Sequence, residues 1–257
     1  MLLTIDVGNT QIVAGLFDGD SLAGHWRLTT RDRTQDEMRW EVIGVLGLDG
    51  FTPKDIEGVA ICSVVPAVTT TLRGAAPALT GGGEVVVVEP GTKTGMPILI
   101  DNPREVGADR IVNAVAARHR HGMPAIVVDF GTSTNFDVVN AEGAYIGGVI
   151  APGVEIATDA LVGGTAALRR VEFTPPRSPI GKGTVEAIQS GALYGHAGLV
   201  DGIVERIRAE LDADPVVLAT GGLASTIVPH CRLVETVDEY LTLEGLRLIY
   251  DMNQGDG

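Results

Sequence analysis

Asp-Phe-Gly-Thr-Ser-Thr, at residues 129–134, lies between two short apolar segments of the sequence. Ala125–Val128 precedes it and Phe136–Val139 follows it, a pattern that predicts a strand, a tight glycine turn and a second strand. The turn offers backbone N–H groups, three hydroxyls and one carboxylate within six residues. Because phosphate groups and their metal ions bind to such donors and oxygens, we predict a phosphate-binding turn here.

The N-terminal segment repeats this pattern. Leu2–Ile5 is apolar, Asp-Val-Gly-Asn-Thr follows at residues 6–10, and Ile12–Phe17 is the expected second strand. The two aspartates, Asp6 and Asp129, are 123 positions apart, and each copy continues into a hairpin. One such motif is a weak signal, but two copies in matching contexts predict an internal duplication.

The composition is typical of an α/β protein, and the net charge limits the classes of partner. Hydrophobic residues make up 45% of the 257 residues and aromatic residues only 4%, which is typical of buried strands rich in valine, isoleucine and leucine. The net charge of −14 argues against nucleic acid or an anionic membrane as a partner, since both require a basic surface. A polyphosphate ligand would therefore be held by backbone amides and metal ions.

The remaining global features point to the cytoplasm. No apolar segment is long enough to span a membrane, and Asp6 interrupts the N-terminus too early for a signal sequence. Cys62 and Cys231 are not spaced as a metal or redox pair, so we interpret them as reduced core thiols.

Each candidate site residue also has a purely structural interpretation. Asp6 and Asp129 could bind a metal ion and phosphates on either side of a nucleotide, or could only shape two hairpin turns. Asp109 could be a general base for attack by an alcohol, or the N-cap of a helix predicted at Ile111–Arg120. Arg110 could bind an acidic substrate or phosphate, or form a surface ion pair. The duplication favours the nucleotide interpretation for Asp6 and Asp129, whereas the residues alone leave the alternatives for Asp109 and Arg110 open.

Two further helices and one turn complete the pattern. We predict helices at Val154–Arg169 and Val185–Leu211. The second contains four glycines, which destabilise a helix and so indicate close approach of another backbone, such as that of a dimer partner. Thr-Gly-Gly at residues 220–222 could let an adenosine lie against bare backbone. The sequence contains neither a P-loop motif nor a dinucleotide-binding glycine fingerprint.

The chain resembles the type III pantothenate kinases, within the acetate and sugar kinase/Hsp70/actin superfamily. The matching segments, in order along nearly the whole chain, are DVGNT at residues 6–10, SVVP at 63–66, DNP at 101–103, EVGADR at 105–110, DFGT at 129–132, GG at 147–148, PG at 152–153 and TGG at 220–222. EVGADR together with DFGT is more specific to this family than the glycine turns shared by the superfamily.

The resemblance implies a duplicated actin-like ATPase fold of the ribonuclease H-like type. Its two similar mixed-sheet halves, residues 1–121 and 122–257, would flank a nucleotide cleft. It also implies a homodimer that phosphorylates pantothenate with ATP, the first step towards coenzyme A. Mg²⁺ would accompany ATP, and a monovalent cation, K⁺ or NH₄⁺, would be required.

The resemblance also implies roles for individual residues. Asp109 would accept the proton of the substrate hydroxyl, and Asp129 would bind the monovalent cation. Asp6 would face the metal ion that accompanies the phosphates. Pantothenate would contact the segment Gly107, Ala108, Asp109 and Arg110, and also Thr184. ATP would contact Asp6, Val7, Gly8, Asn9, Thr10, Gln11, Ile12, Val13, Thr132 and Gly221.

Two departures from the family pattern concern the substrate. Many members have threonine where this chain has Asn135, a mild change because the side chain stays polar. Many have tyrosine where this chain has Ile100, and that tyrosine is associated with the pantothenate pocket. Two alternatives are therefore a kinase for another small hydroxylated acid and a non-catalytic regulatory relative. Retention of Asp6, Asp109 and Asp129 favours an enzyme.

Overall fold

A computed structural model describes residues 1–165, 168 and 170–254. Its strands are β1 (Leu2–Val7), β2 (Gln11–Asp18), β3 (Ser21–Thr29), β4 (Gly58–Ser63), β5 (Glu84–Val87), β6 (Ala125–Phe130), β7 (Ser133–Val139), β8 (Tyr145–Pro152), β9 (Val216–Thr220) and β10 (Thr236–Val237). Its helices are α1 (Gln35–Leu48), α2 (Pro66–Ala75), α3 (Ala108–Arg120), α4 (Val154–Gly163), α5 (Thr184–Leu211), α6 (Ala224–Ile227) and α7 (Leu241–Asn253).

The two sheets have the same topology. The first has the strand order β3-β2-β1-β4-β5 and the second β8-β7-β6-β9-β10, written in the equivalent direction. The first three strands of each sheet in chain order form antiparallel pairs: β1 with β2 and β2 with β3, and likewise β6 with β7 and β7 with β8. The remaining two strands lie on the other side of the central strand and are parallel to it: β4 and β5 beside β1, and β9 and β10 beside β6. This repetition confirms the predicted duplication and the mixed-sheet α/β fold.

Each sheet has its own hydrophobic core, formed by apolar side chains of its central strands and of the helices packed on them. The first core combines β1, β2 and β4 with α1 and α2, and includes Leu3, Ile5 and Met38. The second combines β6, β7 and β9 with α5, and includes Val128 and Leu193. The carboxyl ends of the central strands in each sheet therefore have fixed positions, and the predicted turns begin there.

Each of the three helices predicted above differs from the structure at one end. The helix predicted at Ile111 begins at Ala108, and α5 begins at Thr184, one residue earlier than predicted. The helix predicted to reach Arg169 ends at Gly163, where a pair of glycines interrupts it; Arg169 itself lies outside the described residues.

The described residues form two compact units that alternate along the chain. Unit 1 contains Met1–Met96, Asp101–Ala116 and the C-terminal segment from Leu241, and unit 2 contains Pro97–Ile100 and Ala117–Tyr240. Within unit 1, α7 packs on β1 and β4. The boundary at residues 121 and 122 stays a prediction. Among the described helices, none has both the length and the apolar composition needed to cross a bilayer.

Candidate functional site

The first glycine turn follows β1 and is held by hydrogen bonds on both of its sides. Gly8 N–H donates to Gln11 O at 2.9 Å. Thr30, the residue after β3, donates its hydroxyl to Gly8 O at 2.7 Å and its N–H to Thr10 O at 2.9 Å. Asn9 and Thr10 at the tip are exposed. The turn is thus a fixed backbone loop whose polar tip is open to a ligand, as binding of an anion requires.

Two residues of the predicted ATP-binding segment are core residues. The side chains of Val7 and Ile12 are fully buried in the first hydrophobic core. Only their backbone groups could therefore contact a ligand. Asp6 and Val13, by contrast, are half-buried.

The charges of Asp6 and Asp109 both affect the pKa of one buried thiol, that of Cys62. Cys62 pairs with Asp6 across β1 and β4, and its thiol is hydrogen-bonded to the Asp6 carboxylate. Burial raises the pKa of the Cys62 thiol well above its usual value, and the negative charges of Asp6 and Asp109 raise it further. Both carboxylates therefore lie close to the carboxyl ends of β1 and β4.

Asp109 is in the first turn of α3 and is not its N-cap. The helix begins at Ala108, and Gly107 O accepts the N–H groups of Arg110 and Ile111. Asp109 Oδ1 accepts the N–H of Arg110 at 2.9 Å. The N-cap alternative is therefore wrong, because that role falls to the residue before Ala108.

The surroundings of Asp109 make its carboxylate a better proton acceptor. Burial raises the pKa of Asp109, and the hydrogen bond from Arg110 N–H and the Arg110 charge only partly oppose this. A raised pKa strengthens a carboxylate as a base, provided that it stays ionised at the working pH. The electrostatics therefore suit a general base.

Gly107 leaves the space that the Asp109 carboxylate occupies. A Cβ built on Gly107 would lie 2.5 Å from Asp109 Oδ1 and 3.7 Å from Val64 Cγ1. Val64 follows β4, and its N–H donates to Val7 O at 3.0 Å. The absence of a side chain at Gly107 therefore helps to set the position of Asp109.

The second glycine turn follows β6 and is one residue shorter than the first. Three residues lie between the paired Phe130 and Thr134, whereas four lie between Val7 and Ile12. Gly131 N–H donates to Ser133 O at 3.0 Å. Thr132 at the tip is exposed.

Two more glycines lie directly against this second turn. A Cβ on Gly221 would lie 2.5 Å from Asp129 Oδ1, and the φ of Gly221, +93°, is one that side chains disfavour. A Cβ on Gly153 would lie 2.2 Å from Thr132 O and 2.8 Å from Gly131 O. The structure therefore brings Asp129, Thr132 and Gly221 together, with Gly153 beside them.

Thr184 is not part of this cluster. It is exposed at the first position of α5, and the loop before it is tied to the helix by Glu186, which accepts the Lys182 N–H and pairs with Arg177. Further along α5, His196 makes hydrogen bonds to Thr134 and Pro152 on the strands beside the turn. Thr184 lies twelve residues earlier, or about 18 Å along the helix.

Sequence reasoning missed Thr30, the thiol–carboxylate contact of Cys62, and His196. These residues act through contacts with segments far away in the sequence, and no local motif marks them. The duplication offered one signal, since it points to the residue after each third strand as a neighbour of a glycine turn.

The acidic residues fit a metal ion that arrives together with phosphates. In the described part of the chain, no three His, Cys, Asp or Glu side chains are grouped to hold a metal ion. Asp6 and Asp129 instead each adjoin one glycine turn. Mg²⁺ in nucleotide sites commonly takes one or two carboxylates, and phosphate and water oxygens complete its shell. The donor set fits that arrangement.

Comparisons with known proteins agree in family and in fold. A family model described as type III pantothenate kinase matches residues 2–206. A type III pantothenate kinase of Frankia alni is 57% identical over 254 residues, covering 98% of this chain and 100% of that protein.

Solved structures share the fold at low sequence identity. A conserved protein of Campylobacter jejuni, described as a candidate transcriptional activator of the Baf family, has a TM-score of 0.62 at 17% identity, with 98% of each chain covered. An Arthrobacter polyphosphate/ATP-glucomannokinase has a TM-score of 0.51 at 15% identity, covering 98% of this chain and 99% of that one. These likenesses establish the fold alone, which is that of the actin-like ATPases and sugar kinases.

Proposed function

Because the chain belongs to the type III pantothenate kinase family, we propose that it transfers the γ-phosphoryl group of ATP to the primary hydroxyl of pantothenate. The product would be 4′-phosphopantothenate, and the reaction is the first step of coenzyme A biosynthesis. The observation that carries this proposal is that Gly107 adjoins both the Asp109 carboxylate and Val64, whose N–H donates to Val7 O at the start of the Asp6 turn. A candidate base and a candidate phosphate-binding turn thus adjoin within unit 1.

Asp109 is proposed as the general base. Its carboxylate would orient the substrate hydroxyl and accept its proton as the new phosphorus–oxygen bond forms. The N–H of Arg110 holds Oδ1, so the second oxygen is the one proposed to receive the proton. Mg²⁺, when bound with ATP, neutralises the charge that develops on the phosphate oxygens.

The two glycine turns are proposed to bind ATP. Residues 6–13 would contact the phosphates through backbone N–H groups and the polar tip, and Thr132 and Gly221 are also proposed to contact the nucleotide. Backbone donors suit a chain with a net charge of −14, which would otherwise repel a polyphosphate. Asp129 is proposed to bind K⁺ or NH₄⁺, with Asp6 facing the magnesium ion.

Pantothenate is proposed to contact residues 107–110 and Thr184. The Arg110 guanidinium could pair with the substrate carboxylate, since it adjoins the proposed base. Ile100 replaces the tyrosine of many relatives, and it lies in unit 2, where its Cγ2 is 3.8 Å from a Cβ built on Gly147. An aliphatic side chain there supplies no hydroxyl, so we expect weaker pantothenate binding than with tyrosine.

A homodimer is proposed to form through β8, α4 and α5. Ile150 on the edge strand β8 is 66% exposed, and Ile156, Leu161 and Val185 on the two helices are exposed as well. Exposed apolar side chains on neighbouring elements are typical of an interface. The glycines of α5 that face open space on the described chain are Gly191, Gly195 and Gly198. Light scattering should give a dimer mass, which Ile156→Glu should reduce to that of a monomer.

A cytoplasmic location is part of the proposal. Cys62 and Cys231 are free thiols, and a reducing compartment keeps thiols in that state. Burial raises the pKa of the Cys231 thiol to about 12, so its reactive thiolate is scarce at neutral pH.

The deciding experiment is ADP formation measured with Mg²⁺ and K⁺, with and without pantothenate. We expect pantothenate-dependent ADP, and its loss when Na⁺ replaces K⁺ would support the Asp129 cation site. Folded protein that binds ATP but forms no pantothenate-dependent ADP would refute the substrate assignment. Other small hydroxylated acids would then be tested, and inactivity with all of them would favour a regulatory role.

A further inference from the structure

His196 is a buried histidine in the middle of α5, with only 8% of its surface exposed. Its Nε2 lies 3.2 Å from Pro152 O and 3.3 Å from Thr134 Oγ1. Because a carbonyl oxygen only accepts hydrogen bonds, Nε2 carries the ring proton and shares it between these two oxygens. Burial lowers the pKa of His196, so its imidazole is neutral near pH 7.

The two oxygens belong to the strand ends that flank the second glycine turn. Thr134 pairs with Phe130 across the turn, and Pro152 pairs with Ser133 on the neighbouring strand. Gly153, which follows Pro152, lies directly against the carbonyl oxygen of Thr132. A single N–H group of His196 therefore connects both backbone segments that fix the turn.

The duplication shows why unit 2 uses a distant side chain for this purpose. In unit 1, the residue after the third strand is Thr30, and its hydroxyl donates to Gly8 O at 2.7 Å. In unit 2, the residue after the third strand is Gly153, and a Cβ there would lie 2.2 Å from Thr132 O. No side chain fits at Gly153, so the bond that Thr30 makes in unit 1 has no equivalent from that position.

We propose that His196 is a positioning residue for the second glycine turn, holding the ends of β7 and β8 together so that the backbone of Gly131 and Thr132 stays in place for the nucleotide phosphates. The inference rests on the proposed role of this turn in ATP binding. His196 is buried beneath the strands and acts through Thr134 and Pro152, so it is not itself a catalytic residue.

Three substitutions separate the hydrogen bond from the packing. His196→Leu keeps an apolar side chain of similar reach and removes the donor. His196→Gln places an amide N–H near the position of Nε2, and His196→Asn carries the same amide on a side chain too short to reach both oxygens. His230→Leu is the matched control, because His230 is another unit 2 histidine and packs edge-on against Tyr194.

The measurements are the Kd of a non-hydrolysable ATP analogue with Mg²⁺, the KM for ATP, the KM for pantothenate and the thermal midpoint. We expect His196→Leu and His196→Asn to raise the Kd and the KM for ATP about tenfold, the effect of losing one buried hydrogen bond. The KM for pantothenate should stay within about twofold of wild type. His196→Gln should recover most of the loss, and His230→Leu should change neither constant.

The outcomes distinguish this inference from the proposed function. If wild-type protein does not bind the ATP analogue, the nucleotide role of the turn and the role of His196 both fail. If wild type binds and His196→Leu binds equally well, only the role of His196 is overturned. Equal losses in the Gln and Asn variants would also overturn it, because packing would then be the cause. Should the Leu variant not fold, the Gln and Asn pair decides alone.

Discussion

Replacing Gly107 by alanine would place a methyl carbon 2.5 Å from Asp109 Oδ1, whereas ordinary contacts of a Cβ begin at 3.4 Å. The carboxylate must therefore move by roughly 1 Å or turn to another rotamer, and a displacement of about 1 Å in a reacting group costs about a hundredfold in rate. The movement also weakens the hydrogen bond from Arg110 N–H to Asp109 Oδ1. In the native protein this hydrogen bond lowers the pKa of Asp109, so its loss would raise that pKa.

The same substitution should leave the free energy of unfolding almost unchanged. Oδ1 is the end of a side chain that can turn, and an off-rotamer carboxylate costs about 1 kcal/mol. Alanine restricts the unfolded chain more than glycine does, which stabilises the folded state by about 0.4–1 kcal/mol at a compatible backbone position. Since the two effects nearly cancel, Gly107→Ala separates the position of the base from the stability of the fold.

The assay compares kcat for pantothenate-dependent ADP formation with the thermal midpoint. Gly44→Ala is the control, because a Cβ on this glycine of α1 meets no atom within 4 Å. It should keep wild-type kcat and stabilise the helix by up to about 1 kcal/mol. A Gly107→Ala enzyme that retains more than half of wild-type kcat would refute the argument that Gly107 sets the position of Asp109.

Substitutions at three other residues test the charges and contacts of the candidate site. Asp109→Asn should abolish turnover and keep binding of an ATP analogue. It should also raise the thermal midpoint at neutral pH, because the raised pKa of Asp109 means that ionisation destabilises the fold; this gain should shrink as pH falls towards the usual aspartate value of 3.8. Arg110→Gln removes a charge that lowers the pKa of Asp109, so the acid limb of the pH–rate profile should move to higher pH, and an unchanged limb would contradict the base assignment. Thr30→Val deletes the hydroxyl bond to Gly8 O and should raise the KM for ATP about fivefold, while Thr30→Ser should not.

The features that local sequence determines were predictable. The glycine turns after β1 and β6 and the hairpins that follow them depend on short apolar segments and on adjacent glycines, so they could be identified without a structure. The capping box of Thr34 and Glu37 at the start of α1 is likewise a local contact, and the structure contains it.

Helix ends were harder because competing local preferences are similar in free energy. The sequence predicts that α3 begins at Ile111, whereas the helix begins three residues earlier, at Ala108. After Gly163, apolar residues continue the helical pattern in the sequence although the helix itself has ended. The spacing of apolar residues predicts which face of a helix is buried. It does not predict the residue at which the helix ends.

Contacts between distant segments could not be predicted from one sequence. The hydroxyl of Thr30 meets Gly8 O only because β3 returns beside β2 and ends next to the first turn. The packing of α7 on β1 and β4 joins the last helix to the first strand, and nothing in the helix pattern specifies that partner. Such contacts depend on the three-dimensional arrangement that the local motifs produce together.

The duplication explains why the chain has two equivalent aspartates and a single candidate base. Asp6 and Asp129 each lie one residue before the end of the central strand, in two sheets with the same order, so the phosphate-binding turn that we propose occurs twice. The helices that accompany the two sheets differ. Helix α3 places Asp109 close to the carboxyl ends of β1 and β4, which belong to the first sheet. Phosphoryl transfer needs several groups to bind the phosphates but only one to orient the attacking hydroxyl. Retaining both turns while placing one base therefore matches the asymmetry of the reaction itself.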